Sequence, residues 1–220
     1  MTPERVAELR QRFPQLRDLV AEQHAEEAKG DEAWAAKERE WHAAAEQAKA
    51  EGKPAPRPLR REESPVYRYR TPTFQVPREE IVDVCRWLRD NPEFDMAVLE
   101  FVSAVDWPDR FDVVYQLVSL ARSHGVMLKV PVAKDDAHVP SVVEVWRGAD
   151  WHEREAYDLF GIVFDGHPDL RRIMMSEDWK GHPLRKDYVY EDPQWLVDVA
   201  VKRQREIAAT GDGDGRGSRS

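Results

Sequence analysis

The stretch Phe111-Asp112-Val113-Val114-Tyr115-Gln116-Leu117-Val118-Ser119-Leu120 decides the fold. Phe111, Val113, Tyr115 and Leu117 alternate onto one face, the period-two pattern of a strand. Strands are also expected at Met96 to Val105 and at Val126 to Val132, separated by turn chemistry at Trp107-Pro108-Asp109 and Ser123-His124-Gly125. Upstream, Val66 to Arg70 and Thr73 to Val76 read as strand. Pro77-Arg78-Glu79-Glu80 then opens a helix carrying Ile81, Val84, Cys85 and Leu88 on one face, and Asn91-Pro92 stops it. Strands, a helix and three more strands predict an α+β fold. The expected architecture is a two-layer domain, its mostly antiparallel or mixed sheet covered by helices on one face.

Outward from this core the texture changes. Residues 1–63 form an expected helical N-terminal region with an insertion and a Pro-rich linker, and no β-branched residue stands between Val20 and Val66. Pro3 and Glu4 suit a first helical turn with Val6, Leu9 and Phe13 as its stripe. A second helix is predicted from Pro14 to about Gly30. A third is capped by Asp31, with Trp34, Trp41 and Ala48 at seven-residue spacing. That tryptophan face suits either a partner helix or the protein's own body. The α+β core domain is assigned 64–165, an extended partner-binding arm 166–198, and a short helix with a disordered tail 199–220. Within the core, Ser141 to Arg147 is expected as a short helix. Asp150 is expected to cap the next one, and Gly161 to end it.

Composition removes several function classes. Hydrophobic residues are 41% and charged residues 34% of 220, with a net charge of -9. No apolar run approaches the ~20 residues of a membrane span, and Met1 to Arg5 carry no apolar leader, so a soluble cytoplasmic chain is expected. Cys85 is the single cysteine, which excludes an internal disulfide and a four-cysteine iron–sulfur site. No phosphate-cradling glycine motif occurs, and the acidic balance argues against nucleic acid.

The densest chemistry lies at His152-Glu153-Arg154-Glu155-Ala156-Tyr157-Asp158. The zinc pattern HExxH fails because Ala156 stands where a second imidazole is required. His152, His167 and His182 are evenly spaced, but two of them sit in Gly-His-Pro turns that need no metal. Glu153 and Glu155 point about 200° apart on a helix and cannot share one substrate. Glu155 and Asp158 share a face, and Arg154 and Asp158 are spaced to pair. Gly166-His167-Pro168-Asp169-Leu170-Arg171-Arg172 is echoed by Gly181-His182-Pro183-Leu184-Arg185-Lys186-Asp187. Each unit holds a turn, one apolar peg and two cations, suited to docking on acidic groups of a partner or of the chain's own domain.

The run Trp151 to Phe164, the Gly166 to Ile173 block and Gly181-His182-Pro183-Leu184-Arg185-Lys186-Asp187-Tyr188 closely resemble the signature of the C subunit of NADH-quinone oxidoreductase, respiratory complex I. Val114 to Leu120 resembles the family more weakly. The resemblance implies a two-layer α+β subunit of the hydrophilic arm on the cytoplasmic face of the bacterial plasma membrane, beside the D subunit that helps form the quinone site. It also implies that this chain binds no cofactor, the iron–sulfur clusters, FMN and quinone belonging to other subunits. Related subunits occur in membrane-bound hydrogenases and in the chloroplast complex. Two features depart from the family: the helical stretch from about Leu16 to Arg61 reads as an insertion, and Val189 replaces a frequent Pro.

The leading expectation is therefore a non-catalytic scaffold. Glu153, Arg154, Glu155 and Asp158 fix the motif helix. His167 and His182 hold the turns, and Arg171, Arg172, Arg185 and Lys186 anchor the arm on a partner. The rivals are a free-standing metal- or acid–base-dependent hydrolase using His152, Glu155 and Asp158, and an adaptor acting through Trp34 and Trp41.

Overall fold

A computed structural model describes residues 1–51, 53–54, 56–60, 71–190, 198–199 and 201–205. In chain order the elements are α1 (Pro3–Arg12), β1 (Arg17–Asp18), α2 (Leu19–Ala50), β2 (Thr73–Gln75) and a 3-10 turn (Arg78–Glu80). They continue with α3 (Ile81–Asp90), β3 (Val98–Asp106), β4 (Arg110–Ser119), β5 (His124–Ala133), β6 (His138–Pro140), α4 (Ala149–Phe160) and β7 (Val163–Asp165).

Five strands form one sheet in the order β1-β2-β5-β4-β3, antiparallel except where β2 runs parallel to β5. The mixed α+β sheet expected from the alternation is present. Phe111, Val113, Tyr115 and Leu117 pair with Val132, Val130, Leu128 and Val126, so eight apolar side chains share one face. Ile81, Val84, Cys85 and Leu88 of α3 are fully buried in the core cluster, as the spacing predicts, and α4 lies along β3. Burial pushes the Cys85 thiol well above its ordinary range, so it packs as a small apolar group. β6 and β7 make a separate two-stranded parallel ladder beside α4. The expected strand Val66 to Arg70 and the expected tail 211–220 lie outside the described residues.

The core also reaches back across residue 64. Leu9, Phe13 and Leu16 join it, and the Phe13 ring meets Trp87 of α3 edge-on at 5.6 Å. Four local expectations are corrected. The two helices expected on either side of Gly30 are one 32-residue helix. A lone glycine costs a helix about 1 kcal/mol relative to Ala, too little to break a run of Ala, Glu and Lys. The cap is Asp18, whose carboxylate accepts the Ala21 N–H at 3.0 Å, not Asp31. Ser141 to Arg147 is a series of turns, where the β-branched Val142, Val143 and Val145 resist helix. Asp150 lies inside α4, which starts at Ala149 without a side-chain cap.

No side chain of α2 is fully buried, and a Cβ at Gly30 would meet open space. Gly30→Ala is therefore expected to slow amide exchange across α2 by an amount worth up to about 1 kcal/mol while leaving the melting temperature of the sheet unchanged. Hydrogen exchange and thermal unfolding on the same samples check both halves.

Candidate functional site

The chemistry-bearing residues converge on α4 and on the irregular arm that follows it. α4 ends at Gly161, whose φ of 73° places it in the left-handed region and whose N–H closes on the Tyr157 carbonyl at 2.8 Å. The arm then folds back over this helix end. A Cβ at Gly161 would lie 2.5 Å from His182 Nε2 and 2.6 Å from Arg185 Nη2, so glycine is required by space as well as by backbone.

Asp158 is the anchor of that return. It is fully buried, and one oxygen meets Arg172 Nη1 at 2.6 Å. The other accepts the backbone N–H groups of Ile173, Met174 and Met175 at 3.1, 2.7 and 2.8 Å. Burial alone would raise its carboxyl, but those three N–H groups and the guanidinium outweigh it and hold it below the ordinary carboxylate range. The Asp158 carbonyl accepts from His182 Nδ1 at 2.9 Å and from Arg172 Nη1 at 3.3 Å. Burial lowers the His182 ring against the opposing hydrogen bond to the Asp158 carbonyl, and the neighbouring Arg185 and Arg172 add to the lowering.

Beyond it, Arg185 donates through Nε to the Phe160 carbonyl and lies over the Phe111 ring at 5.2 Å, with Lys134 also over that ring at 5.4 Å. Asp106, nearly closed to solvent, meets Lys134 at 2.6 Å and accepts the Lys186 N–H at 2.7 Å. Burial raises Asp106, and Lys134 with the Lys186 N–H overcomes this and lowers it. The first Gly-His-Pro turn is seated similarly. The buried His167 ring approaches the Asp150 carbonyl at 3.3 Å and its carboxylate at 3.4 Å through Nε2, and Nδ1 accepts the Asp169 N–H. The two turn glycines, Gly166 and Gly181, both have positive φ, of 84° and 78°.

The four arm cations thus divide. Arg172 and Arg185 are spent inside the chain. Arg171 pairs with the exposed Asp169 at 2.9 Å, and Lys186 is exposed. The expected Arg154–Asp158 pair does not form: Arg154 donates to the Arg171 carbonyl, lies 3.9 Å from Asp150 and covers the Trp151 ring. Glu155 and Asp158 do not share an environment either, Glu155 being exposed. Glu153, by contrast, faces the core, as the 200° separation requires. It is fully buried with no cation beside it, and accepts the Ser141 hydroxyl at 2.6 Å and the Val142 N–H at 2.8 Å. Burial pushes its carboxyl up to about 7.

Both Asp158 oxygens are saturated by donors, so it is no free base. His167 and His182 address carbonyls eight residues apart, about 12 Å along the helix. Among the described residues no group of three His, Cys, Asp or Glu is placed to hold a metal ion, and no helix is long and apolar enough to cross a membrane. An open depression of about 450 Å³ lies elsewhere, by Arg78, Asp136, His138 and Asp165. Its charges are paired with one another. Sequence reasoning missed Asp106, Lys134 and Ser141; only Asp106 left a signal, a carboxylate on the inward register of β3 with Val102 and Ala104.

Two substitutions test this geometry. Gly161→Ala should cost about 2 kcal/mol or more and expose residues 181–188 to hydrogen exchange before the sheet. Because the folded carboxyl of Glu153 titrates above the unfolded one, its stability contribution is full below about pH 4.5 and is lost as pH rises through about 7. The loss should be on the order of 3 kcal/mol, and Glu153→Gln should flatten that part of the stability–pH curve in denaturant titrations.

Comparison with known proteins matches residues 74–194 to the family model for the respiratory-chain NADH dehydrogenase, 30 Kd subunit. A Roseiflexus castenholzii protein, named as the C subunit of NADH-quinone oxidoreductase, is 55% identical over 118 residues, covering 52% of this chain and 68% of that protein. One of the same name from Saccharopolyspora erythraea is 50% identical over 120 residues, covering 53% of this chain and 48% of that protein, so the matched stretch spans about half its length. A solved structure of a trypsin-resistant Nqo5 fragment is 32% identical, covers 57% of this chain and 95% of the fragment, and has a TM-score of 0.41.

Proposed function

The chain belongs to the family of the respiratory-chain NADH dehydrogenase 30 Kd subunit, and from that premise we propose that it is a non-catalytic docking subunit in the hydrophilic arm of an NADH-quinone oxidoreductase. Electron transfer from NADH to quinone is the work of the assembled complex. This chain binds no cofactor and holds its place beside the quinone-site D subunit, on the cytoplasmic face of the membrane.

The observation that carries the reading is the orientation of the arm. Arg172, Arg185, His182 and several backbone N–H groups turn inward to Asp158, Asp106 and the end of α4, and Leu170 and Met175 pack on the core, while other apolar side chains turn outward. Met174 is 59%, Leu184 52% and Val189 78% exposed, and Trp151 on α4 is 66% exposed. A segment that spends much of its hydrogen bonding on its own domain and leaves Met174, Leu184 and Val189 in water is built to be covered by another protein. Asp158 and Arg172 make that segment rigid before docking, which lowers the ordering cost of assembly.

The test uses a tagged full-length chain in a strain lacking its own copy, scoring co-purified oxidoreductase subunits and membrane NADH–quinone activity. Recovery of both is expected. A chain that remains wholly outside any complex overturns the proposal. Leu184→Asp with Met174→Asp should reduce incorporation at least severalfold without changing the melting temperature of the isolated chain. Arg172→Ala should instead destabilise the isolated chain by about 3 kcal/mol, since it strands a buried carboxylate. Calorimetry on the purified variants beside the incorporation assay separates the two effects.

A further inference from the structure

β1 and β2 are adjacent antiparallel strands, with Arg17 opposite Gln75 and Asp18 opposite Phe74. The chain therefore leaves the sheet after Asp18 and comes back one rung away at Thr73. Everything before the departure already belongs to the body, since Leu9, Phe13 and Leu16 are buried in its core. α2 thus begins an excursion out of a hairpin, and the matched family region begins only at residue 74. Its root is stapled: Arg17 makes a two-point pair with Glu22 of α2, at 3.0 and 2.7 Å, and donates to Gln75 of β2.

The excursion starts with α2, whose 32 residues reach about 48 Å. It buries none of them fully, yet Trp34, Trp41, Ala45 and Ala48 form a half-buried stripe. At the far end the chain reverses, with the Lys53 N–H on the Ala48 carbonyl at 2.8 Å. The described proline-rich residues, 53–54 and 56–60, then come back along the helix. The Trp41 indole N–H donates to the Arg57 carbonyl at 2.8 Å. A proline-rich strand suits this position, because its prolines stiffen it in an extended form that lies well on aromatic rings.

We propose that α2 and the described proline-rich residues after it, 53–54 and 56–60, form a self-closing appendage: the face of α2 around Trp41 is occupied by the chain's own proline-rich residues, and the body folds independently of it. On this proposal Trp41 is engaged from within, the alternative to an adaptor acting through Trp34 and Trp41. α2 can project from the body without offering an apolar stripe to solvent.

Hydrogen exchange on the full-length protein tests the occupant. Replacing Lys53 to Arg60 by Gly and Ser at constant length should reduce protection of α2 amides 34–48 at least tenfold and leave β3, β4 and β5 unchanged. Trp41→Phe, which keeps a ring but loses the N–H, should give an intermediate loss. Unchanged protection overturns the proposal, as does absence of protection in the parent chain. Concentration-dependent protection with a dimer in light scattering also overturns it and assigns the face to a second copy. Joining Asp18 to Thr73 by a short Gly-rich turn should leave a chain that unfolds cooperatively within a few degrees of the parent. Failure of that chain to fold, with the parent and Gly/Ser chains intact, overturns the independence of the body.

Discussion

A carboxylate buried without solvent must be met by donors, and the fully buried Asp158 is where this protein meets that constraint. Its two oxygens collect a guanidinium and three consecutive backbone N–H groups, all from the segment that follows α4. A stretch with too few apolar residues to form a core is thereby given one path across the helix end. Gly161 makes that path possible by leaving room for His182 and Arg185. The outward display of Met174, Leu184 and Val189 follows from the same arrangement, since the groups able to bond inward have done so.

The same helix holds a second buried carboxylate in the opposite condition. Glu153 has a hydroxyl and one N–H but no cation, and burial raises it, whereas the donors around Asp158 lower that carboxyl against the same penalty. The two acids divide the labour. Glu153 ties the turns at Ser141 and Val142 to the core side of α4, and Asp158 ties the arm to its end. In both, the carboxylate oxygens are met by donors from the chain's own segments, so these acids join parts of the fold.

Much of this is legible in the sequence. The alternation from Phe111 to Leu117 marks the interior strand β4 and the face it turns to β5's apolar row, and the spacing of Ile81, Val84, Cys85 and Leu88 marks the buried face of α3. Both patterns record contact with a continuous apolar layer. The separation of Glu153 from Glu155 follows from helical angle alone, and the left-handed Gly161 from its place after the last helical turn. The helix boundaries around Gly30, Asp31 and Asp150 mislead, because a potential cap or breaker acts only where neighbouring propensities leave the choice open.

By itself, the sequence determined the α+β body, the identity of the motif helix and the inward and outward faces of its strands, since those depend on periodicities of two and 3.6 residues. Tertiary structure alone decided which cations serve the chain and which remain outside. Arg171 and Arg172 are adjacent and chemically alike. One pairs locally in solvent, and the other completes Asp158, because only a folded arm brings a residue fourteen positions away onto that carboxylate. Tertiary structure also placed Asp18 opposite Phe74, turning a long helical stretch into an excursion from a hairpin. Local patterns carry no information on which distant strand will be the neighbour, because pairing depends on burying one face of the whole sheet.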